Sequence, residues 1–124
     1  MSTYLTAAWA EAPMDPAAEA LAAVGGSIRV GRVITGGPDG EVRYTAIAAD
    51  GAVTYLAGTT DDVEVTLTDT AANALAIVRG ELDPNAAFMR GRTKVAGATG
   101  PLLALLAATK TPAFAERCRE LASA

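Results

Sequence analysis

A chain of 124 residues and 12.5 kDa, 51% hydrophobic and 19% charged with a mean hydropathy of +0.26, has room and apolar content for one compact domain, which excludes a disordered or fibrous chain. A net charge of -4 and a pI near 4.7 give the wrong sign for affinity built on phosphate backbones, so nucleic acid is not an expected partner. The sequence has no histidine, which removes Ser-His-Asp and Cys-His catalysis and imidazole ligation of metals and so ends most hydrolase readings; no cofactor or metal is expected.

In chain order, the opening segment reads as helix in two pieces. Before Arg29 the only charges are Glu11, Asp15 and Glu19, so neither a secretion signal nor a transit peptide is expected. Pro13 interrupts an alanine-rich run, and Asp15-Pro16 then supplies an N-cap with proline at the first helical position. Ala17, Leu21 and Val24 share a stripe at helical spacing, and Gly25-Gly26 ends the helix. From Ser27 to Thr68 short β-rich runs alternate with turns, the pattern of consecutive antiparallel strands. Ile28 to Thr35 is the first, Gly36 to Gly40 a turn, and Val42 to Ala49 the second. Asp50-Gly51 is a two-residue hairpin turn and Val53 to Ala57 the third strand. After Gly58-Thr59-Thr60-Asp61, a fourth strand puts Val63, Val65 and Leu67 on its dry face and Glu64, Thr66 and Thr68 on the other.

Thr68 or Asp69 is the expected cap of a helix over Ala71 to Arg79, with Ala71, Ala74, Leu75 and Val78 as its apolar stripe. Asp83-Pro84 starts a short helix carrying Phe88 and Met89, and Arg92 to Ala96 is a fifth strand. Pro101 opens a leucine-rich helix whose longest apolar stretch, Leu102 to Ala108, falls far short of the roughly 20 residues that cross a bilayer, so no stable membrane insertion is expected. Thr111-Pro112 opens the last helix, with Phe114, Cys118 and Leu121 on one stripe. A lone cysteine on an apolar stripe behaves as a small hydrophobe, and it points to a reducing compartment, hence the cytoplasm. The expectation is one α+β domain over 1–124: a helical segment over 1–26, strands over 27–68, and helices with one further strand over 69–124. Its mostly antiparallel sheet is covered by helices on one face, the other face being left to water.

The polar candidates read mainly as structure. Asp61-Asp62 is a solvated loop pair, since adjacent residues of an extended segment point apart. Gly36-Gly37-Pro38-Asp39-Gly40 lacks the lysine and hydroxyl residue of a phosphate loop. Arg90, Arg92 and Lys94 gather at a strand start, where they either greet an acidic head group or solvate a sheet edge. The apolar inventory says more. Tyr4, Trp9, Tyr44, Tyr55, Phe88 and Phe114 are the only aromatic residues. With few large fillers and alanines at 46, 48 and 57 of the sheet, helices approach the sheet closely or leave space for an apolar ligand.

Asp62-Val63-Glu64-Val65-Thr66-Leu67-Thr68, then Gly80-Glu81-Leu82-Asp83-Pro84-Asn85-Ala86-Ala87-Phe88-Met89-Arg90-Gly91, then Arg92-Thr93-Lys94-Val95-Ala96-Gly97 with Leu102 to Leu106 beyond it, resemble the sterol carrier protein 2 family. The resemblance is good over about a third of the chain. It implies a five-stranded α+β fold enclosing an apolar tunnel that takes a fatty acid, acyl-CoA, sterol or phospholipid without chemical change. Carried over by residue, Leu82, Phe88, Met89, Leu103 and Leu106 would line or gate the tunnel; Leu75 and Val78 join them from periodicity, and Arg90 and Arg92 are candidates for the head group. Thr93, where the family usually has an aliphatic residue, Ala98 and Pro101 depart from the family pattern. A chain of about 14 to 16 buried methylenes would supply roughly 11 to 13 kcal/mol gross, enough for micromolar affinity after an association cost of about 4 kcal/mol. The alternative is the same fold with a collapsed tunnel, acting as an interaction module for a protein partner or a second copy of the chain.

Overall fold

The computed structural model describes residues 3–59 and 62–123. Thr60 and Asp61 of the expected loop lie outside them. The elements are α1 (Ala7–Ala10), α2 (Pro16–Ala23), β1 (Ile28–Gly37), β2 (Gly40–Ala49), β3 (Ala52–Ala57), β4 (Val65–Thr70), α3 (Ala71–Val78), α4 (Pro84–Met89), β5 (Lys94–Gly97), α5 (Thr99–Ala108) and α6 (Pro112–Ala122). The fold is α+β, with a five-stranded sheet in the order β3-β2-β1-β4-β5.

Local chemistry sets most boundaries. Asp15 starts α2 by accepting from the backbone N–H of Ala17 and Ala18 through Oδ1. Asp83 starts α4 in the same way through Ala86, again with proline at the first helical position. The β2–β3 turn holds both Asp50 (φ 53°) and Gly51 (φ 78°) in the left-handed region, as a two-residue hairpin requires. The cap of α3 is Thr70, whose side chain accepts from Asn73 N–H, and not Thr68 or Asp69. β4 continues two residues further than its alternation suggests, so Asp69 belongs to the sheet. In α2 the buried residues include Ala18, Ala20, Leu21 and Ala22, while Val24 is exposed, because the helix is covered on several sides by β2, β3, α5 and α6.

The run of strands is not wholly antiparallel. β2 pairs antiparallel with β1 and β3, and β5 with β4, but β4 lies parallel to β1. β1 already has β2 on one edge, so its other edge is open to β4, which must be reached by a crossover. Gly58 N–H donates to Arg43 O and Glu64 N–H to Arg29 O at the two ends of that crossover. Thr45 Oγ1 donates to Gly58 O, and a Cβ at Gly31 would stand 3.3 Å from Thr59 Cγ2. The sheet face away from the helices is therefore partly covered here instead of fully wet, and β1 carries glycine where the chain passes over it.

On the other face, β1 directs Ile28, Val30, Arg32 and Ile34 toward the helices, in register with Ala48, Ala46, Tyr44 and Val42 of β2. The N-terminal segment is stapled to this face by aromatic rings: Trp9 meets Tyr4 edge to face at 4.9 Å and Tyr44 at 5.9 Å, and Tyr44 meets Tyr55 at 6.1 Å. Trp9 is 2% exposed. Trp9→Ala is expected to cost about 3–5 kcal/mol in urea unfolding; a loss below about 1 kcal/mol would show that this staple is not part of the core.

Candidate functional site

Ala46 and Ala48 are packed in the core, and the space between sheet and helices lies elsewhere. It takes the form of a cavity of about 60 Å³. Its apolar wall is built by Val78 of α3, Phe88 of α4, Leu102, Leu105 and Leu106 of α5, and Phe114 of α6, over Leu67 and Val95 of the sheet. Its polar part includes, besides Tyr4 and Thr109, the four residues Asp15, Arg32, Asp69 and Thr93.

Those four residues come together because strand alternation directs two of them inward. Arg32 follows Ile28 and Val30 on β1, and Asp69 follows Val65 and Leu67 on β4. The guanidinium of Arg32 lies between two carboxylates, its Nε 3.4 Å from Asp15 Oδ2 and its Nη1 3.4 Å from Asp69 Oδ2. Asp15 is further held by the α2 backbone and by Tyr44, whose hydroxyl donates to Oδ2 at 2.7 Å. Asp69 Oδ1 accepts from Thr93 Oγ1 at 2.6 Å. Thr93, the position that departs from the family's aliphatic pattern, thus has a buried carboxylate as its partner. Tyr55 closes the network, donating to Glu19 Oε2 and accepting from Asp15 N–H, each at 2.8 Å.

Burial opposes the charge on Arg32, but Asp15, Tyr44 and Asp69 outweigh it and raise the guanidinium's pKa above its ordinary value. Burial, then Asp15, raises the Tyr44 phenol well above the usual value of 10.0. Burial and the nearby Asp15 push the Cys118 thiol up to about 11, which leaves it a neutral packing group. Among the described residues no group of His, Cys, Asp or Glu is arranged to hold a metal ion, and no helix is long and apolar enough to cross a membrane.

The residues singled out in the sequence are distributed unevenly. Val78, Phe88 and Leu106 line the cavity. Leu75 is half-buried and lines a separate recess beside Leu5 and Leu121. Leu82 is buried and does not line the cavity; it lines an adjoining recess that shares Val78, Phe114 and Cys118 with it. Met89 and Leu103 do not line it: they are 80% and 57% exposed. Met89 ends a six-residue helix, and Leu103 lies on the outer side of α5, between the buried Leu102 and Leu105. Arg90 and Arg92 are exposed and stand outside the lining as well. Of the carboxylate pair, Asp62 forms a surface ion pair with Arg29 at 2.7 Å, and Asp61 is outside the described residues. Sequence reasoning missed Arg32 and Asp69, although extending the alternation of β1 and β4 by one step marks both as inward.

The sequence profile of the SCP-2 sterol transfer family matches residues 10–109. No curated protein matches the sequence. Solved structures do share the fold. A conserved hypothetical protein from Thermus thermophilus is 21% identical with a TM-score of 0.66, the match covering 99% of this chain and 94% of that one. A crystal structure of sterol carrier protein 2 is 19% identical with a TM-score of 0.60, covering 96% of this chain and 97% of that one. The stereoselective inverting sec-alkylsulfatase Pisa1 from Pseudomonas sp. is 19% identical with a TM-score of 0.54. The match covers 72% of this chain but only 14% of that enzyme.

Removing the one cation between two buried carboxylates leaves them uncompensated. Arg32→Met is expected to lower unfolding stability by about 3–5 kcal/mol; a urea transition within about 1 kcal/mol of the wild type would contradict the buried ion cluster.

Proposed function

Because the chain belongs to the SCP-2 sterol transfer family, we propose that it binds a lipid between sheet and helices and transfers it without making or breaking a bond in it, in the cytoplasm. The observation that carries this reading is the apolar wall that Val78, Phe88 and Leu106 contribute from three different helices to one interior space. Burial of a hydrocarbon chain there needs no catalytic group, since each methylene removed from water gives about 0.8 kcal/mol.

The space is small in this conformation. A cavity of roughly 150 Å³ is what accommodates benzene, against about 60 Å³ here, so lipid uptake requires the helical wall to part. The moving parts in this reading are α4 and the turn Thr109 to Pro112. Asn85 Nδ2 on α4 donates to Thr109 Oγ1 at 3.1 Å, and Phe88 on α4 is half-buried while its neighbour Met89 is exposed. The small volume favours one rival, a domain that keeps the fold and binds a protein partner or a second copy of the chain.

Binding of an uncharged fluorescent alkyl probe separates the two readings. A stoichiometric signal, weakened at least about tenfold by Phe88→Asp while the cooperative thermal transition persists, is the expected result. No binding of any alkyl probe, together with a stable dimer, would overturn the carrier reading in favour of the interaction module.

A further inference from the structure

We infer that Arg32 and Asp69 form a hydroxyl-binding subsite at the polar end of the cavity, which selects uncharged hydroxyl-bearing lipids over fatty carboxylates. The inference rests on the lipid-binding function proposed above. Asp69 is 2% exposed and lines the cavity. Its Oδ1 is engaged by Thr93, but its Oδ2 receives no hydrogen bond from the described residues, having only the long ion-pair contact to Arg32 Nη1. On the same guanidinium, Arg32 Nε makes no hydrogen bond to the described residues, having only the 3.4 Å ion-pair contact to Asp15 Oδ2. Both residues line the same apolar space, and leaving either buried atom unsatisfied is costly.

Charge decides which group completes them. The cluster holds one guanidinium and two carboxylates, a balance of one negative charge, and both Asp15 oxygens are committed to the α2 backbone and Tyr44. A fatty carboxylate would bring a third negative charge into the cavity and could donate nothing to Asp69. An alkylammonium would offset the surplus negative charge and donate to Asp69, but it cannot accept from Arg32. A hydroxyl both donates to Asp69 Oδ2 and accepts from Arg32, without adding charge.

The test is competition against the uncharged alkyl probe by tetradecan-1-ol, tetradecanoate and tetradecane, on the full chain near neutral pH. The alcohol is expected to bind at least about tenfold more tightly than the carboxylate and than the alkane. Asp69→Asn, which removes the surplus negative charge while keeping an acceptor, is expected to cut the alcohol-over-carboxylate preference to about threefold or less. Equal or tighter binding of tetradecanoate, or an unchanged preference in Asp69→Asn, would overturn the subsite. An alcohol no tighter than the alkane would also overturn it, showing that water alone satisfies these atoms. The wild-type ranking decides the matter if Asp69→Asn fails to fold. Failure of all three ligands to compete would instead overturn lipid binding itself.

Discussion

The fold is organised around one cation between two carboxylates in its interior. Bringing Arg32, Asp15 and Asp69 out of water costs several kcal/mol per ion unless each is paired and hydrogen-bonded. Here the compensation comes from four separate parts of the chain: the start of α2, the middle of β1, the end of β4 and the residue before β5. Asp15 does double duty, capping α2 with one oxygen and taking the Tyr44 hydroxyl with the other. The cluster thus fixes where the N-terminal helix sits on the sheet, and the Trp9 ring chain reaches it through Tyr44.

The same cluster shapes the cavity. Asp15, Arg32, Asp69 and Thr93 line part of it. The apolar wall above them comes from helices α3 to α6. The site is accordingly two-sided in chemistry, greasy toward the helices and ionic toward the sheet, a division that matches a ligand with a long hydrocarbon part and one compact polar group.

Much of this was legible in the sequence. Asp15-Pro16 and Asp83-Pro84 mark helix starts found where expected, Asp50-Gly51 is the hairpin turn, and Phe114, Cys118 and Leu121 are buried together on α6. Other features depend on relations that a local pattern does not contain. β4 pairs with β1 and not with β3, after a connection that passes over Gly31, far from β4 in sequence. In α5 leucines lie all round the helix, so periodicity did not choose between Leu103, which is exposed, and Leu102 and Leu105, which are buried. Met89 ends a helix too short to have an inner face along its whole length. Arg32 and Asp69 escape the pattern because charged residues are rarely buried and Asp69 also reads as a helix cap, although both strand positions point inward.

The central claim is that an alkyl chain occupies the space between α3, α4, α5 and the sheet, with its polar end at the ion cluster. Isotope-filtered NOE measurements on labelled protein with unlabelled tetradecan-1-ol test it most directly. The account predicts contacts from the chain to Val78, Phe88 and Leu106 and from the hydroxymethyl protons to Thr93. Contacts confined to the exposed Met89 and Leu103, with none to Val78 or Thr93, would contradict it.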